Sequence, residues 1–274
     1  MVLEDYSIDS LFGLKGKTAL ITGGSSGLGK TMARGLLQNG VKVYISSRNK
    51  KKCDQALSEL KEYGDCVAIC GDVTNSDHRK NLVNKLVDSE GDGLSILINN
   101  AGTNWGAKLE DYPDEGFEKV IDTNLNAVFS LTRDLVSLLK KAGTVSDPAR
   151  VINIGSIDGL QVPVVQRVPT FAYSASKAAL HHLTRVFAVD LANKNITVNA
   201  IAPGFFESKM TDHVLAQYKK DIEADSPLNR IGKPEEIIGV VIYLASKAGA
   251  YTNGSVIPVD GGSSISKGAK PWMS

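Results

Sequence analysis

A surplus of charge is what this chain lacks most: 31 Lys and Arg stand against 30 Asp and Glu in 274 residues, with the signs interspersed. Without a basic field there is no electrostatic footprint for nucleic acid or an anionic bilayer, so neither is expected as a partner. Cysteine is scarce as well. Cys53, Cys66 and Cys70 are odd in number and show neither a CxxC pair nor metal-ligand spacing, which excludes a disulfide scaffold and suits a reducing compartment. No apolar run is long enough to cross a membrane. The opening MVLEDYSIDS has no apolar signal core and no Arg-rich transit character, and the tail SSISKGAKPWMS carries no retention or peroxisomal ending. The expectation is a soluble cytoplasmic protein. His181 and His182 are adjacent but lack further ligand types, so they read as packing or surface, and no metal is expected. Repeats and linkers are missing too, which leaves one domain over residues 1–274.

What is present is an alternation. KTALIT, VKVYIS, CVAIC, LSILIN, ARVINI, NITVNAI and GSVIPVD read as strands, several of them apolar on both faces. Such strands need cover above and below, which helices on a parallel sheet provide. Between them, Leu28/Met32/Leu36, Leu82/Leu86, Leu125/Val128/Phe129/Leu135 and Ile237/Val240/Val241/Leu244 recur at helical spacing, while Gly40 and Gly64 mark helix ends. The pattern predicts an α/β fold, a doubly wound sheet with right-handed crossovers. Ligands bind beyond the carboxyl ends of such strands.

Directly after the first strand, TGGSSGLG opens a helix. Gly23, Gly27 and Gly29 would let the main chain approach a phosphate, and Ser25, Ser26 and Leu28 lie in the same turn, ahead of a helix whose free amides attract anions. Between a strand and a helix the motif points to a dinucleotide, although its G-x-x-x-G-x-G spacing differs from the commoner G-x-G-x-x-G. The second strand ends in YISSRN. No carboxylate stands there to bind the ribose hydroxyls of NAD; Ser47, Arg48 and Asn49 offer donors that suit the extra phosphate of NADP, so NADP (NADPH) is the predicted cofactor. In GDV after the third strand, Asp72 could hold the adenine with Val73 packed on it; a plain Asp turn would look the same.

FAYSASKAAL places Tyr173 and Lys177 one helical turn apart, on one face. Alone, that pair fits a half-buried Tyr beside a Lys that snorkels to water. Four pieces in order decide the matter: NNAG at Asn99–Gly102, Asn124 within a helix, NIGS ending in Ser156, and the Tyr/Lys pair. In that order the chain resembles the short-chain dehydrogenase/reductase family from about Lys15 to Gly262. The resemblance implies a single Rossmann-like domain with a parallel sheet of about seven strands. It makes Asn124, Ser156, Tyr173 and Lys177 the catalytic residues, with Lys177 also on the nicotinamide ribose and Asn124 holding a relay water. Asn100, Ala101 and Gly102 fall on the cofactor. So do Pro203, Gly204, Phe206 and Ser208 of PGFFESKM, where Ser208 stands at the place of a Thr that meets the carboxamide. A homotetramer or homodimer is also implied.

The chemistry asks for these residue types. Hydride transfer to a ketone leaves charge on its oxygen, which must receive a hydrogen bond and then a proton, from Tyr173 with Ser156 as second donor. Bringing a phenol from about 10 towards neutrality takes roughly 4 kcal/mol, which Lys177 and an oxidised nicotinamide could supply; for reduction Tyr173 must start protonated. Between Ser156 and Tyr173 the inserted QVPVVQRVP suggests a loop over the substrate mouth. With Leu160–Val168, Trp105 and the amphipathic Phe205, Met210, Val214, Leu215 and Tyr218, it could line an apolar pocket. NAGTNWG, ARVINIGS and IAPGFFESKMTDH resemble the NADPH-dependent 3-oxoacyl reductase branch, which implies reduction of a ketone such as a 3-oxoacyl thioester to a secondary alcohol. A sugar or polyol dehydrogenase working oxidatively is the enzymatic alternative, and an NADP-binding sensor the non-enzymatic one. Val128, Phe129, Val186 and Phe187 could serve an interface between copies or face their own sheet.

Overall fold

A computed structural model describes residues 5–166, 169–207 and 211–268. Its seven strands are β1 (Thr18–Thr22), β2 (Lys42–Ser47), β3 (Cys66–Cys70), β4 (Ile96–Asn99), β5 (Ala149–Ile154), β6 (Ile196–Pro203) and β7 (Val256–Val259). All pairings are parallel, in the order β3-β2-β1-β4-β5-β6-β7. The helices are α1 (Ile8–Phe12), α2 (Gly27–Gln38), α3 (Lys50–Leu60), α4 (Ser76–Ser89), α5 (Asp114–Ile121), α6 (Ala127–Ala142), α7 (Phe171–Leu191), α8 (Asp212–Asp225) and α9 (Glu236–Ala245).

Alternation along the strands builds two apolar layers. Ala19 and Ile21 of β1 face Met32, Leu36, Val241 and Leu244 from α2 and α9, whereas Leu20 faces Leu82, Leu86, Leu131 and Leu135 from α4 and α6, and α7 adds Phe187 and Leu191. Each such side chain taken fully from water contributes roughly 2 kcal/mol, and the double cover explains why the strands tolerate no polar face. Chain reversal after α2 uses Gly40 at φ 75°, a left-handed conformation that a Cβ would disfavour.

One buried polar ladder crosses the second layer. Asn99 Nδ2 donates to Thr132 Oγ1 and Asn153 Oδ1 at 3.1 and 2.9 Å, and Asn153 Nδ2 donates to Thr184 Oγ1 at 2.9 Å. These bonds tie β4 and β5 to α6 and α7, fixing the register of the elements that carry the site. The strand order reverses between β1 and β4, and the carboxyl ends of the strands open there into a cleft.

Candidate active site

The nucleotide end of the cleft is made by backbone. Gly23 and Gly27 have φ of 66° and 52°, and a Cβ on Gly23 would lie 2.8 Å from Asn100 Nδ2; on Gly29 it would strike both Asn100 Nδ2 and the Gly23 carbonyl. Thr22 Oγ1 accepts from the N–H groups of Asn100 and Ala101 at 3.0 and 2.9 Å, and Asn100 Nδ2 donates to Thr22 O at 2.9 Å, so β1 and β4 hold the turn closed. At the start of α2, Ser26 makes no side-chain cap, and no acidic residue lies in the first turn. Its amides are therefore free for an anion. Ser25 Oγ donates to Ser47 Oγ at 2.8 Å, while Arg48 is more than half exposed with Nη1 3.9 Å from Asp72 Oδ2. Asp72 accepts from Thr74 N–H and Oγ1 at 2.9 and 2.7 Å. Asn49 caps α3 by accepting from Lys52 N–H.

The catalytic end is made by buried side chains. Lys177 is 5% exposed, and its ammonium donates to Ile154 O at 2.7 Å and stands 5.5 Å from the centroid of the Tyr173 ring. Ser156, 8% exposed, lies two residues past β5; its Oγ accepts from Asp158 N–H at 3.2 Å. Asn124 lies on a single π-turn, Asp122–Asn126, between α5 and α6, a device that re-aims a side chain within a long helix. Both protons of its amide are committed, to Thr103 O and Ser176 Oγ at 3.0 Å each, and Oδ1 accepts from Thr103 N–H at 2.9 Å. One lone pair of Oδ1 is left for a water.

Burial dominates the electrostatics. The Tyr173 phenol is pushed up to about 12, by burial first and by the Asp158 carboxylate second, with the Ser156 hydroxyl opposing. Burial brings Lys177 itself down to about 8, against the pull of Asp158, and raises Asp158 to about 6, against Lys177. Beneath them His181 is 2% exposed and neither ring nitrogen has a hydrogen-bond partner among the described residues; burial holds its imidazole down to about 4, the Gly159 main chain opposing and the Lys177 and Arg185 charges adding to the lowering.

The cleft, with a volume of about 350 Å³, is lined by every cofactor residue named from the sequence except Ser208, which lies outside the described residues. Ser156, Tyr173 and Lys177 line it too; Asn124 stands behind, on Thr103 and Ser176. Sequence reasoning missed Lys52, Thr123, Thr211 and Asp158. Lys52 belongs to three consecutive lysines at the start of α3, yet it lines the cleft with Arg48. Thr211, whose Oγ1 donates to Phe206 O at 2.6 Å, had no sequence signal.

The apolar pocket fares differently. Leu160, Val162 and Val164 are 41%, 84% and 58% exposed and none lines the cleft, because the insertion turns outward; Arg167, Val168 and Met210 lie outside the described residues. Trp105 also stays out, since its ring covers Gly116, where a Cβ would sit 2.7 Å away. Leu215 is a buried residue of α8. Of the residues weighed for an interface, Val128 and Phe187 face their own sheet, while Phe129 and Val186 are 44% and 50% exposed.

A parallel sheet whose switch point carries an uncapped helix start, with a Tyr, a Lys and a Ser converging at the far end of the same cleft, defines a nucleotide-dependent oxidoreductase of the Rossmann-like class. Known proteins agree. A short-chain dehydrogenase family model described as "Enoyl-(Acyl carrier protein) reductase" matches residues 23–264. The chain is 46% identical over 254 residues to the rhamnolipids biosynthesis 3-oxoacyl-[acyl-carrier-protein] reductase of Pseudomonas aeruginosa, covering 92% of this chain and 97% of that one. Among solved structures, the Pseudomonas aeruginosa RhlG/NADP active-site complex superposes with a TM-score of 0.88 at 44% identity, over 93% of this chain and 99% of that one. A gluconate 5-dehydrogenase from Burkholderia cenocepacia, in complex with NADP and tartrate, superposes with a TM-score of 0.86 at 27% identity, over 94% and 99%. The chain belongs to the short-chain dehydrogenase/reductase family, and it is an oxidoreductase.

Proposed function

We propose that this protein reduces a ketone, with a 3-oxoacyl thioester as the leading candidate, to a secondary alcohol using NADPH, with Tyr173 as general acid. The observation that carries this reading is one continuous cleft running from the uncapped start of α2 to a buried, protonated Tyr173 beside Lys177. The residues present fit the dinucleotide. Gly23 and Gly29 leave room where a Cβ would collide, Arg48 and Lys52 supply cationic donors, and no carboxylate stands at the end of β2 to repel a ribose phosphate. NADPH when bound supplies the hydride.

The protein's own groups handle the oxygen. Ser156 Oγ already accepts from Asp158 N–H, so its proton is free to point at the developing alkoxide. Tyr173, held protonated by its burial, gives up its proton there. The phenolate that results is supported by the Lys177 ammonium, which Ile154 O keeps in place. The spare lone pair of Asn124 Oδ1 suits a water that would return a proton. Oxidation of a sugar or polyol on the same groups is the second reading, favoured by the likeness to a gluconate 5-dehydrogenase.

Loss of NADPH absorbance with a panel of 3-oxoacyl thioesters, simple ketones and ketosugars tests the proposal, with Tyr173→Phe as control. Reduction of at least one ketone that the control does not match is expected; a panel on which both proteins are equally inert overturns the assignment. Phe129, Val186 and Val189, exposed on α6 and α7, support pairing of copies as a homodimer or homotetramer, which sedimentation velocity checks. Among the described residues no helix is long and apolar enough to cross a membrane, and all three cysteines are free thiols, which supports a cytoplasmic site of action.

A further inference from the structure

The turn after β3 is gripped from behind by a buried cation that no step above uses. Gly71, Asp72 and Val73 line the cleft, and Val73 also packs on the second apolar layer. Several bonds of the turn are local: Asp72 Oδ1 accepts from Thr74 N–H and Oγ1, Asp72 C=O accepts from Asn75 N–H at 3.0 Å, and Asp72 N–H donates to His78 Nδ1 at 3.1 Å. Arg79, in the first turn of α4, reaches further. Its Nη1 donates to the carbonyls of both Val73 and Thr74, at 2.9 and 3.0 Å, and its Nε stands 3.6 Å from Asp134 Oδ2 on α6. The side chain is only 11% exposed, and Nε has no hydrogen-bond partner among the described residues. Asp134 is shared, since its Oδ1 accepts from Arg133 Nε and Nη2 at 2.9 and 2.7 Å.

Burying a guanidinium costs free energy, and an apolar side chain would close the space between α4 and α6 without that cost. What the cation adds is direction. One nitrogen bonded to two successive carbonyls fixes the rotation of two peptide planes, which the packing of a Leu or Met does not do. Those planes aim Asp72 and Val73 at the cleft. With Oδ1 of Asp72 held by Thr74, Oδ2 is the acceptor on offer, 3.9 Å from Arg48 Nη1. Arg79 itself does not line the cleft. We propose that Arg79 is a positioning residue of the cofactor site: it sets the turn that carries Asp72 and Val73, and so governs how tightly the adenine half of NADPH is held, without touching the cofactor. This rests on the NADPH reading above and not on the identity of the ketone.

Arg79→Met keeps the aliphatic stem and removes the donors, while Asp134 retains Arg133 as a partner. Calorimetric titration with adenosine 2′,5′-bisphosphate, which is the adenine half with its extra phosphate, and fluorescence titration with NADPH are expected to show the same loss of affinity, about tenfold, because the nicotinamide half is untouched. Arg79→Lys still offers an ammonium to the two carbonyls and is expected to recover most of that loss. Arg79→Gln, neutral and shorter, carries the same expectation as Arg79→Met and serves if the latter proves unstable. Unchanged affinity for the adenine fragment overturns the proposal. So does an NADPH loss much larger than the fragment loss, which would mark damage to the whole site. A difference from the parent that disappears in about 0.5 M NaCl also overturns it, since only a through-space effect of the lost charge on the phosphates is screened away. These titrations need no substrate, so failure of the ketone panel and failure of this proposal are read separately.

Discussion

The two ends of the cleft are built on opposite principles. The end proposed for the nucleotide is lined by main chain and exposed cations: Gly23, Gly29, the start of α2, Arg48 and Lys52. The end proposed for catalysis is lined by side chains shut away from water, with Lys177 5% and Ser156 8% exposed and His181 below them at 2%. A phosphate needs geometry and charge that remain available to solvent. Proton transfer instead needs groups whose proton affinities have been moved, and burial is the means of moving them. The lesson is that one cleft can be permissive at one end and exacting at the other because the dielectric environment changes along it.

If that contrast holds, the largest loss should come from a single atom at the buried end. Tyr173→Phe is expected to lower kcat for ketone reduction about 1,000-fold or more while NADPH binding stays within a few-fold, as fluorescence titration of the cofactor would show. Equal losses in both would erase the distinction between the two ends.

The reverse split is expected from Gly29→Val. A Cβ there collides with Asn100 Nδ2 and the Gly23 carbonyl, so NADPH should bind about 100-fold more weakly, with the fold retained by circular dichroism. Unchanged binding would mean the main chain does not approach a phosphate at this turn.

The buried end also makes a prediction about acid stability. His181, held down to about 4 from 6.5, contributes stability that is complete above pH 6.5 and is lost as pH falls through 4. Asp158, raised from 3.8 to about 6, works the other way: it contributes stability below 3.8 that is lost as pH rises through 6. The two offset each other at about 3 kcal/mol apiece, so acidification from pH 7 to 4.5 should expose a further loss of about 2 kcal/mol in Asp158→Asn relative to the parent, read from urea unfolding. Parallel stability curves for the two proteins would show that His181 and Asp158 are not opposed.

Smallest is the effect of an exposed group. Arg48→Ala should weaken NADPH about tenfold and leave NADH unchanged, because a charge-assisted hydrogen bond near water contributes about 1.5 kcal/mol. If Lys52→Ala has the larger effect of the two, the phosphate is held chiefly by a residue that sequence reasoning did not name.

How far the molecule could be read in advance follows the same division. TGGSSGLG was legible because glycines before a helix leave a trace in the order of residues, and the seven strands were legible because double cover makes most of their residues apolar. Tyr173 and Lys177 were legible through a turn of one helix. Asp158 and Thr211 were not, since their meaning comes from neighbours distant in the chain: Lys177 for the one, the cleft wall at Phe206 for the other. Val162 and Val164 misled because an apolar run predicts burial only where something is there to cover it, and this insertion turns to solvent.

Local order along the chain therefore determined the layered sheet, the glycine turn ahead of α2 and the one-turn spacing of phenol and ammonium, all of which depend on residues near each other in sequence. Folding alone decided how strongly each group holds its proton. The reason is that desolvation and Coulomb forces act through space: whether Lys177 sits at about 8 and Asp158 at about 6 depends on β5, α7 and the turn between them closing over both, a fact that no stretch of sequence contains.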